Sequence, residues 1–267
     1  MEVKAHSRQD LRREDLERKR IIARLDIKGE NVVKGIQMEG LRVVGKPNQL
    51  ARSYYQDGID ELLLLDVVAS LYGRDSILRV IEQAANEIFV PLTVGGGVRK
   101  LDDAKALLMS GADKIALNSG ALRNPKLISE IAALFGSQCV VLSVEAKQIG
   151  PDSWESYIDC GREPTGRDVL TWCKEATERG AGEILVTSID RDGTKRGFDI
   201  NLIDRVSSES AVPVVGAGGA GCIDNLVEVF QTTQVDGVAI GSILHYGIAQ
   251  LDNVKRELET RGIRIRK

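Results

Sequence analysis

Residues 91–100 read PLTVGGGVRK, an apolar run that stops in three consecutive glycines and then turns basic. About 122 positions later, residues 213–221 read PVVGAGGAG, the same design with small substitutions. A strand that ends in bare backbone can bring main-chain N–H groups close to a phosphate, and the start of a following helix favours the same anion. A tight strand-to-helix corner uses glycine as well. The repeat extends beyond the corners: DGIDELLLLDV echoes RGAGEILVTSI at the same offset, and the helical stretch after each corner leads to a second small-residue loop, Asn118-Ser119-Gly120 in one half and Gly241-Ser242 in the other. Two equivalent halves, each with one glycine corner and one small-residue loop, predict a ligand carrying two phosphates.

Outward from these corners the chain alternates short β-like runs with amphipathic helical segments. The eight strand candidates are RIIARLDI, ELLLLDV, PLTVGGG, DKIALN, CVVLSVEA, GEILVTSID, VPVVGAGG and DGVAIGS. Between most of them apolar residues recur at i, i+3 and i+4, as in LDDAKALLMSG and NPKLISEIAALFG. Strands alternating with helices predict parallel pairing. Eight such units in a single domain over 20–267 match the size of an α/β (β/α)₈ TIM barrel, here with a two-fold half-barrel internal repeat. A doubly wound open sheet is the rival architecture, but near-equal halves fit a closed ring better.

Composition narrows the function classes. The chain has 267 residues, 43% of them hydrophobic, enough for a large core, and a formal net charge of −3 that offers no electrostatic footprint for nucleic acid. Apolar runs such as LLLLDVVA fall far short of the roughly 18–20 residues of a membrane span, so no membrane partner is expected. Residues 1–19, mostly charged and polar, read as a solvated arm or a short exposed helix. They contain no apolar core of a secretory signal, which predicts a cytoplasmic chain. The four cysteines, Cys139, Cys160, Cys173 and Cys222, form no CxxC pair and no grouping with His6 or His245. They predict reduced thiols, no metal and no cofactor.

In a barrel of this type, reacting groups stand at the C-terminal ends of the strands. There the sequence places Asp26 and Lys28 after the first strand, Asp66 after the second, Asn118 after the fourth, Glu145 and Lys147 after the fifth, and Thr187, Asp190 and Asp192 after the sixth. Strand side chains alternate, so if Asp26 points inward, Arg24, Ile22 and Arg20 do too. Asp26 and Glu145, on the first and fifth strands, would face each other, one able to donate a proton while the other accepts. Solvated loop carboxylates are the plainer reading of either alone. At the opposite ends of the strands, Arg20, Glu61, Lys114 and Glu183 share inward parity and form a balanced set of charges, which is either a structural plug or a gate.

Taken together, RII-RLDIK, VVKG, DELLLLD, TVGGGV, GADKIALNS, FGSQCVV, GAGEILVTSIDRDGTKRG and GGAG resemble the cyclase-subunit family of imidazole glycerol phosphate synthases, of histidine biosynthesis, from about Arg20 to Ile248. The isomerase of the same pathway is a looser resemblance. The cyclase resemblance implies a (β/α)₈ subunit that forms a heterodimer with a glutaminase, a class I glutamine amidotransferase. Ammonia released there passes up the barrel to a bis-phosphorylated ribulosyl aminoimidazole carboxamide ribotide, giving imidazole glycerol phosphate and aminoimidazole carboxamide ribotide. It implies Asp26 and the residue at Glu145 as acid–base pair, and Arg20, Glu61, Lys114 and Glu183 as the ammonia gate. It also implies substrate and phosphate contacts at Lys34, Gly97, Asn118, Thr187, Asp192, Gly193, Gly219, Gly241 and Ser242. Two positions depart from the pattern: Glu145 stands where such cyclases have aspartate, and Arg24 stands where they usually have a small cysteine. Relatives in bacterial surface-sugar pathways imply a second reading, a paralogue that channels ammonia to a sugar-amidating enzyme. A third is a non-catalytic activator of the glutaminase.

Overall fold

The computed structural model describes residues 18–68 and 75–266. The predicted arm, 1–19, falls almost wholly outside these residues; Lys19 is described, and forms a parallel bridge to Ile265.

Eight parallel strands close on themselves: β1 (Arg20–Lys28), β4 (Glu61–Asp66), β5 (Leu92–Gly95), β6 (Lys114–Leu117), β7 (Val140–Gly150), β10 (Glu183–Ser188), β11 (Val214–Ala217) and β12 (Gly237–Ile240). Each pairs with the next in that order, β12 returns to β1, and the ring is therefore a closed barrel rather than an open sheet. All eight sequence-predicted strands are present. Their near-continuous apolar runs follow from burial on both faces, one toward the barrel interior and one toward the helices. Ile21, Ala23, Leu25 and Ile27 of β1 pack outward in the large core with residues such as Leu62, Leu64 and Ile184. Ile22 packs inward with Leu63, Ala116, Val141, Leu185, Val215 and Ala239.

The outer helices include α1 (Pro47–Gln56), α2 (Asp75–Glu87), α3 (Leu101–Met109), the short α4 (Ser119–Arg123), α5 (Lys126–Phe135), α6 (Val169–Glu178), α7 (Ile200–Glu209), α8 (Ile223–Thr232), the short α9 (Ser242–His245) and α10 (Leu251–Thr260). Their starts are set locally. Pro47 opens α1 where a missing N–H is harmless. The carboxylates of Asp168 and Asp199 accept the backbone N–H groups of Thr171 and Leu202 to cap α6 and α7.

Two antiparallel hairpins extend the barrel at its C-terminal end, and the sequence reading did not anticipate them. The first joins β2 (Asn31–Ile36) and β3 (Glu39–Gly45), with β2 laid along β1. The second joins β8 (Ser153–Ile158) and β9 (Glu163–Asp168), with β8 laid along β7. β8 starts at Ser153, 122 residues after β2 starts at Asn31, so the half-barrel repeat includes the hairpins. They escape pattern reading because β3 and β9 are largely exposed and carry charged residues and glycine in place of a regular apolar face.

Candidate active site at the mouth of the barrel

Alternation along β1 stacks Arg20, Ile22, Arg24 and Asp26 from the N-terminal end of the barrel to its mouth, all buried. At the N-terminal end, the four expected charges meet as a closed ring. Arg20 donates to Glu61 at 2.9 Å and lies 2.6 Å from Glu183; Lys114 lies 3.0 Å from Glu61 and 2.8 Å from Glu183. Each cation bridges both anions, so every buried charge is paired. Arg266, from the C-terminal segment, adds a contact to Glu61 at 3.3 Å. The apolar layer around Ile22 separates this ring from the mouth.

At the mouth, β1 and β7 are opposite strands in the ring and carry Asp26 and Glu145. Arg24 Nε donates to Asp26 at 2.8 Å, and its Nη1 donates to Thr187 Oγ1 at 3.0 Å. Lys34 reaches in from the first hairpin, 3.4 Å from Asp26 and 2.9 Å from both carboxylate oxygens of Asp192. Glu145 is held differently. It accepts the backbone N–H of Gly161, at the tip of the second hairpin, at 2.8 Å.

These environments push the two carboxyls apart. Burial raises Glu145 to about 7, a rise that the Gly161 N–H and the Arg24 charge only partly oppose. Burial acts on Asp26 in the same direction but is outweighed by Arg24 and Lys34, which hold it down at about 2. One mouth thus contains an ionised carboxylate and, at neutral pH, a partly protonated carboxylic acid. Arg24 is raised above its usual value despite burial, because Asp26, Asp192 and Glu145 surround it.

The two glycine corners differ. The first opens on a cavity of about 90 Å³ that contains Gly96, Gly97, Asn118, Ser119, Arg123 and Glu145. Here the first turn of α4 lies against the glycine turn so closely that a Cβ on Gly120 would stand 1.9 Å from the Val98 carbonyl oxygen. Asn118 Oδ1 is buried with no hydrogen-bond partner among the described residues, an acceptor that costs about 1–3 kcal/mol to leave unmet and so is suited to a donor on a ligand. At the second corner, Gly219 lies against the 190–197 loop, while Gly241 faces the Arg24 carbonyl and the His245 ring. Gly197 N–H donates to the Gly219 carbonyl at 2.9 Å, and a Cβ on Gly219 would stand 2.0 Å from the Gly197 oxygen. That loop is tied to the first hairpin: Gln37 N–H donates to the Asp192 carbonyl at 2.7 Å, and Gly193 abuts Gly35.

Of the other sequence candidates, Lys147 pairs with Asp190, while Asp66 accepts the Val68 N–H at 2.9 Å. Neither Lys147 nor Asp190 contacts the Asp26–Arg24 cluster through a hydrogen bond. Sequence reasoning missed the turn Asp159-Cys160-Gly161. Its three residues all have left-handed φ, at 52°, 60° and 72°. The turn spans the mouth: Asp159 N–H donates to Ser119 Oγ at 3.0 Å, Asp159 pairs with Arg123 at 2.7 Å, and the Cys160 thiol donates to the Val67 carbonyl at 3.0 Å. The IDCGRE stretch carries a glycine as its signal, but nothing local says what the turn touches. The four cysteines are free, and no group of three or more His, Cys, Asp or Glu suited to a metal occurs among the described residues. None of the described helices is long and apolar enough to cross a membrane.

The family of histidine biosynthesis proteins matches residues 20–250. Among curated proteins, the chain is 47% identical over 248 residues to an imidazole glycerol phosphate synthase subunit HisF of Bacillus cereus, covering 93% of this chain and 98% of that protein. It is 54% identical over 205 residues to a subunit of the same name from Legionella pneumophila, covering 77% of this chain and 97% of that one. With the Streptococcus mutans subunit of that name the identity is 44% over 249 residues, covering 93% and 99%.

Proposed function

Because the chain belongs to the histidine biosynthesis protein family, we infer from the chemistry of its barrel mouth that it is the ammonia-dependent cyclase subunit of an imidazole glycerol phosphate synthase. The observation that carries this reading is the pair Asp26 and Glu145 on opposite strands of one mouth, the first held ionised by Arg24 and Lys34 and the second raised by burial to about 7. The substrate is a bis-phosphorylated ribulosyl aminoimidazole carboxamide ribotide. The products are imidazole glycerol phosphate and aminoimidazole carboxamide ribotide.

Ammonia adding to the ribulosyl carbonyl needs an acid to protonate the departing oxygen and a base to take a proton from nitrogen; ring closure and release of the carboxamide ribotide need the same two services. Glu145, protonated for part of the time at neutral pH, supplies the first, and ionised Asp26 the second. Asn118 offers its unmet amide oxygen to the ligand, and Thr187 keeps the Arg24 fork in place. The two phosphates occupy the two corners, one at Gly97, Asn118 and Ser119, the other at Gly193, Gly219, Gly241 and Ser242. Lys34 and Asp192 close the side between them.

At the other end, the ring of Arg20, Glu61, Lys114 and Glu183 lies beneath the apolar layer and gates ammonia delivered by a glutaminase docked on the N-terminal face. The partner forms a one-to-one heterodimer with this chain. The test is consumption of the ribulosyl bis-phosphate by the isolated chain with ammonium chloride as nitrogen source. Turnover is expected without the glutaminase. Tight bis-phosphate binding with no turnover would instead make the chain an activator of its partner.

A further inference from the structure

Two carboxylates in one mouth can exchange roles unless something makes them unequal. On the reading that Asp26 and Glu145 are the acid–base pair, we propose that Arg24 is the positioning residue that decides between them, its guanidinium clamping Asp26 as the base and leaving Glu145 as the proton donor.

The geometry is one-sided. The guanidinium crosses from β1 to β10, where Thr187 lies opposite Glu145 in the strand ladder. It therefore ends beside Glu145, yet its short contact to a carboxylate is to Asp26, at 2.8 Å. Glu145 has turned to the Gly161 N–H. Lys34, the second cation in contact with Asp26, contributes less to this choice, because it is 2.9 Å from Asp192 but 3.4 Å from Asp26 and so belongs chiefly to Asp192. An arginine fork holds two acceptors in fixed directions, whereas a lysine is a compact point charge. Arg24 is 6% exposed, so its field is little screened.

The remaining groups around the cluster do not offset this field. His245, from α9, hydrogen-bonds Tyr54 through Nδ1, and burial lowers it to about 4, so it is neutral at pH 7. Cys160, from the second hairpin, is raised to about 12 by burial and then by Glu145 and Asp26, so it too is neutral; Arg162, beyond it, acts on that thiol in the opposite sense. The charged groups bonded to Asp26, directly or through Lys34, are therefore Arg24, Lys34 and Asp192; Asp66, Arg99, Arg123 and Asp159 line the cavity shared by Arg24 and Glu145, where Arg123 is paired with Asp159 at 2.7 Å and Asp66 accepts the Val68 N–H.

The experiment uses the full chain and its Arg24→Met, Arg24→Lys and Thr187→Val variants, with ammonium as nitrogen source. In the wild type, kcat/KM expressed per free ammonia, which corrects for protonation of the nucleophile itself, is expected to lack an acid limb above pH 4 and to fall on the alkaline side near 7. In Arg24→Met, Asp26 moves toward the ordinary value of about 4 and Glu145 titrates higher, so both limbs shift upward, and kcat at pH 7 falls by about ten- to a hundredfold with KM unchanged within about threefold. Arg24→Lys restores the limbs while recovering only part of kcat. Thr187→Val leaves the limbs in place and lowers kcat by a few fold. A wild-type profile in Arg24→Met would overturn the proposal, as would a raised KM with kcat and limbs unmoved, which would make Arg24 a substrate ligand. Carboxyl ¹³C titrations of Asp26 and Glu145 in the wild type and in Arg24→Met decide the matter independently of turnover. Without turnover the cyclase reading fails, yet the titrations still test the clamp: an Asp26 titration that Arg24→Met leaves unmoved refutes it.

Discussion

Lys114→Met removes one of the two bridges in the ring at the base of the barrel while keeping an unbranched stem of similar length. Lys114 lies 3.0 Å from Glu61 and 2.8 Å from Glu183, and both glutamates then depend on Arg20, with Arg266 at 3.3 Å from Glu61 as the one further cation in contact among the described residues. Removing one partner of a buried ion pair costs about 3–5 kcal/mol. The Lys114 side chain is 18% exposed, so water screens part of the loss and the lower end, about 3 kcal/mol at pH 7, is expected. For a barrel of this size that lowers Tm by roughly 6–12 °C. The loss has a pH signature. Burial would raise Glu61, but Arg20 and Lys114 together lower it, so its contribution to stability is present above the unfolded carboxyl value and fades as pH falls through the lower folded one. Without Lys114, Glu61 accepts a proton at higher pH, which relieves its repulsion with Glu183. The gap between variant and wild type should therefore shrink between pH 7 and pH 4. Urea unfolding at the two pH values reads the gap directly. An equal gap at both would mean that only packing was lost. In the complex, the same variant should reduce glutamine-dependent turnover more than ammonium-dependent turnover; proportional losses would make the ring structural and refute the gate.

Asp26→Asn keeps the size and removes the base, so the ammonium-dependent rate should fall by about 10²–10⁴ with bis-phosphate affinity retained, and an unchanged rate would remove Asp26 from the chemistry. Glu145→Asp withdraws the carboxyl from the Gly161 N–H, and a misplacement of about 1 Å predicts a loss near a hundredfold; a gain would mark this chain as drifting away from cyclisation. Gly120→Ala drives a Cβ against the Val98 carbonyl, so it should destabilise by about 1–3 kcal/mol in urea and weaken bis-phosphate binding measured by calorimetry. In the wild type the same calorimetry should find the bis-phosphate bound much more tightly than either mono-phosphate half, and equal affinities would rule out a ligand spanning both corners.

The barrel was legible because its signals are local and repeated. Each strand is an apolar run long enough to be buried on both faces, and the parity of RIIARLD alone places Arg20, Ile22, Arg24 and Asp26 on one interior line. Parity likewise brought Glu61, Lys114 and Glu183 to the level of Arg20, although only the folded barrel shows that each cation bridges both anions. A buried Arg24 needs a carboxylate partner, but choosing between Asp26 and Glu145 takes the direction of the guanidinium, which the sequence does not carry. The hairpins were illegible for a different reason. Their outer strands, β3 and β9, are held by pairing to a neighbour and have no buried apolar face of their own. Lys34, delivered by the first hairpin, could be named only through resemblance, since nothing in VVKG says that its ammonium reaches Asp192.

The second hairpin also changes how the Glu145 substitution reads. By sequence, an added methylene displaces a carboxylate by roughly 1–1.5 Å, enough on the scale of catalytic positioning to impair an otherwise normal site. In the folded chain, the longer side chain meets a backbone N–H that the left-handed turn at 159–161 carries across the mouth. Left-handed φ at Asp159 and Cys160 costs about 1 kcal/mol or more at each residue, so the turn persists because other contacts hold it: Ser119 and Arg123 on Asp159, and the Val67 carbonyl on the Cys160 thiol. Those contacts anchor the turn to the first glycine corner. A phosphate entering that corner must share Ser119 and Arg123 with Asp159, and any shift of Asp159 carries the Gly161 N–H with it. On the reading that this corner takes a phosphate and Glu145 is the acid, the position of the acid is linked to occupancy of the corner through Asp159, Cys160 and Gly161. Glutamate rather than aspartate suits such a linkage, because its extra torsion lets the carboxyl follow the turn.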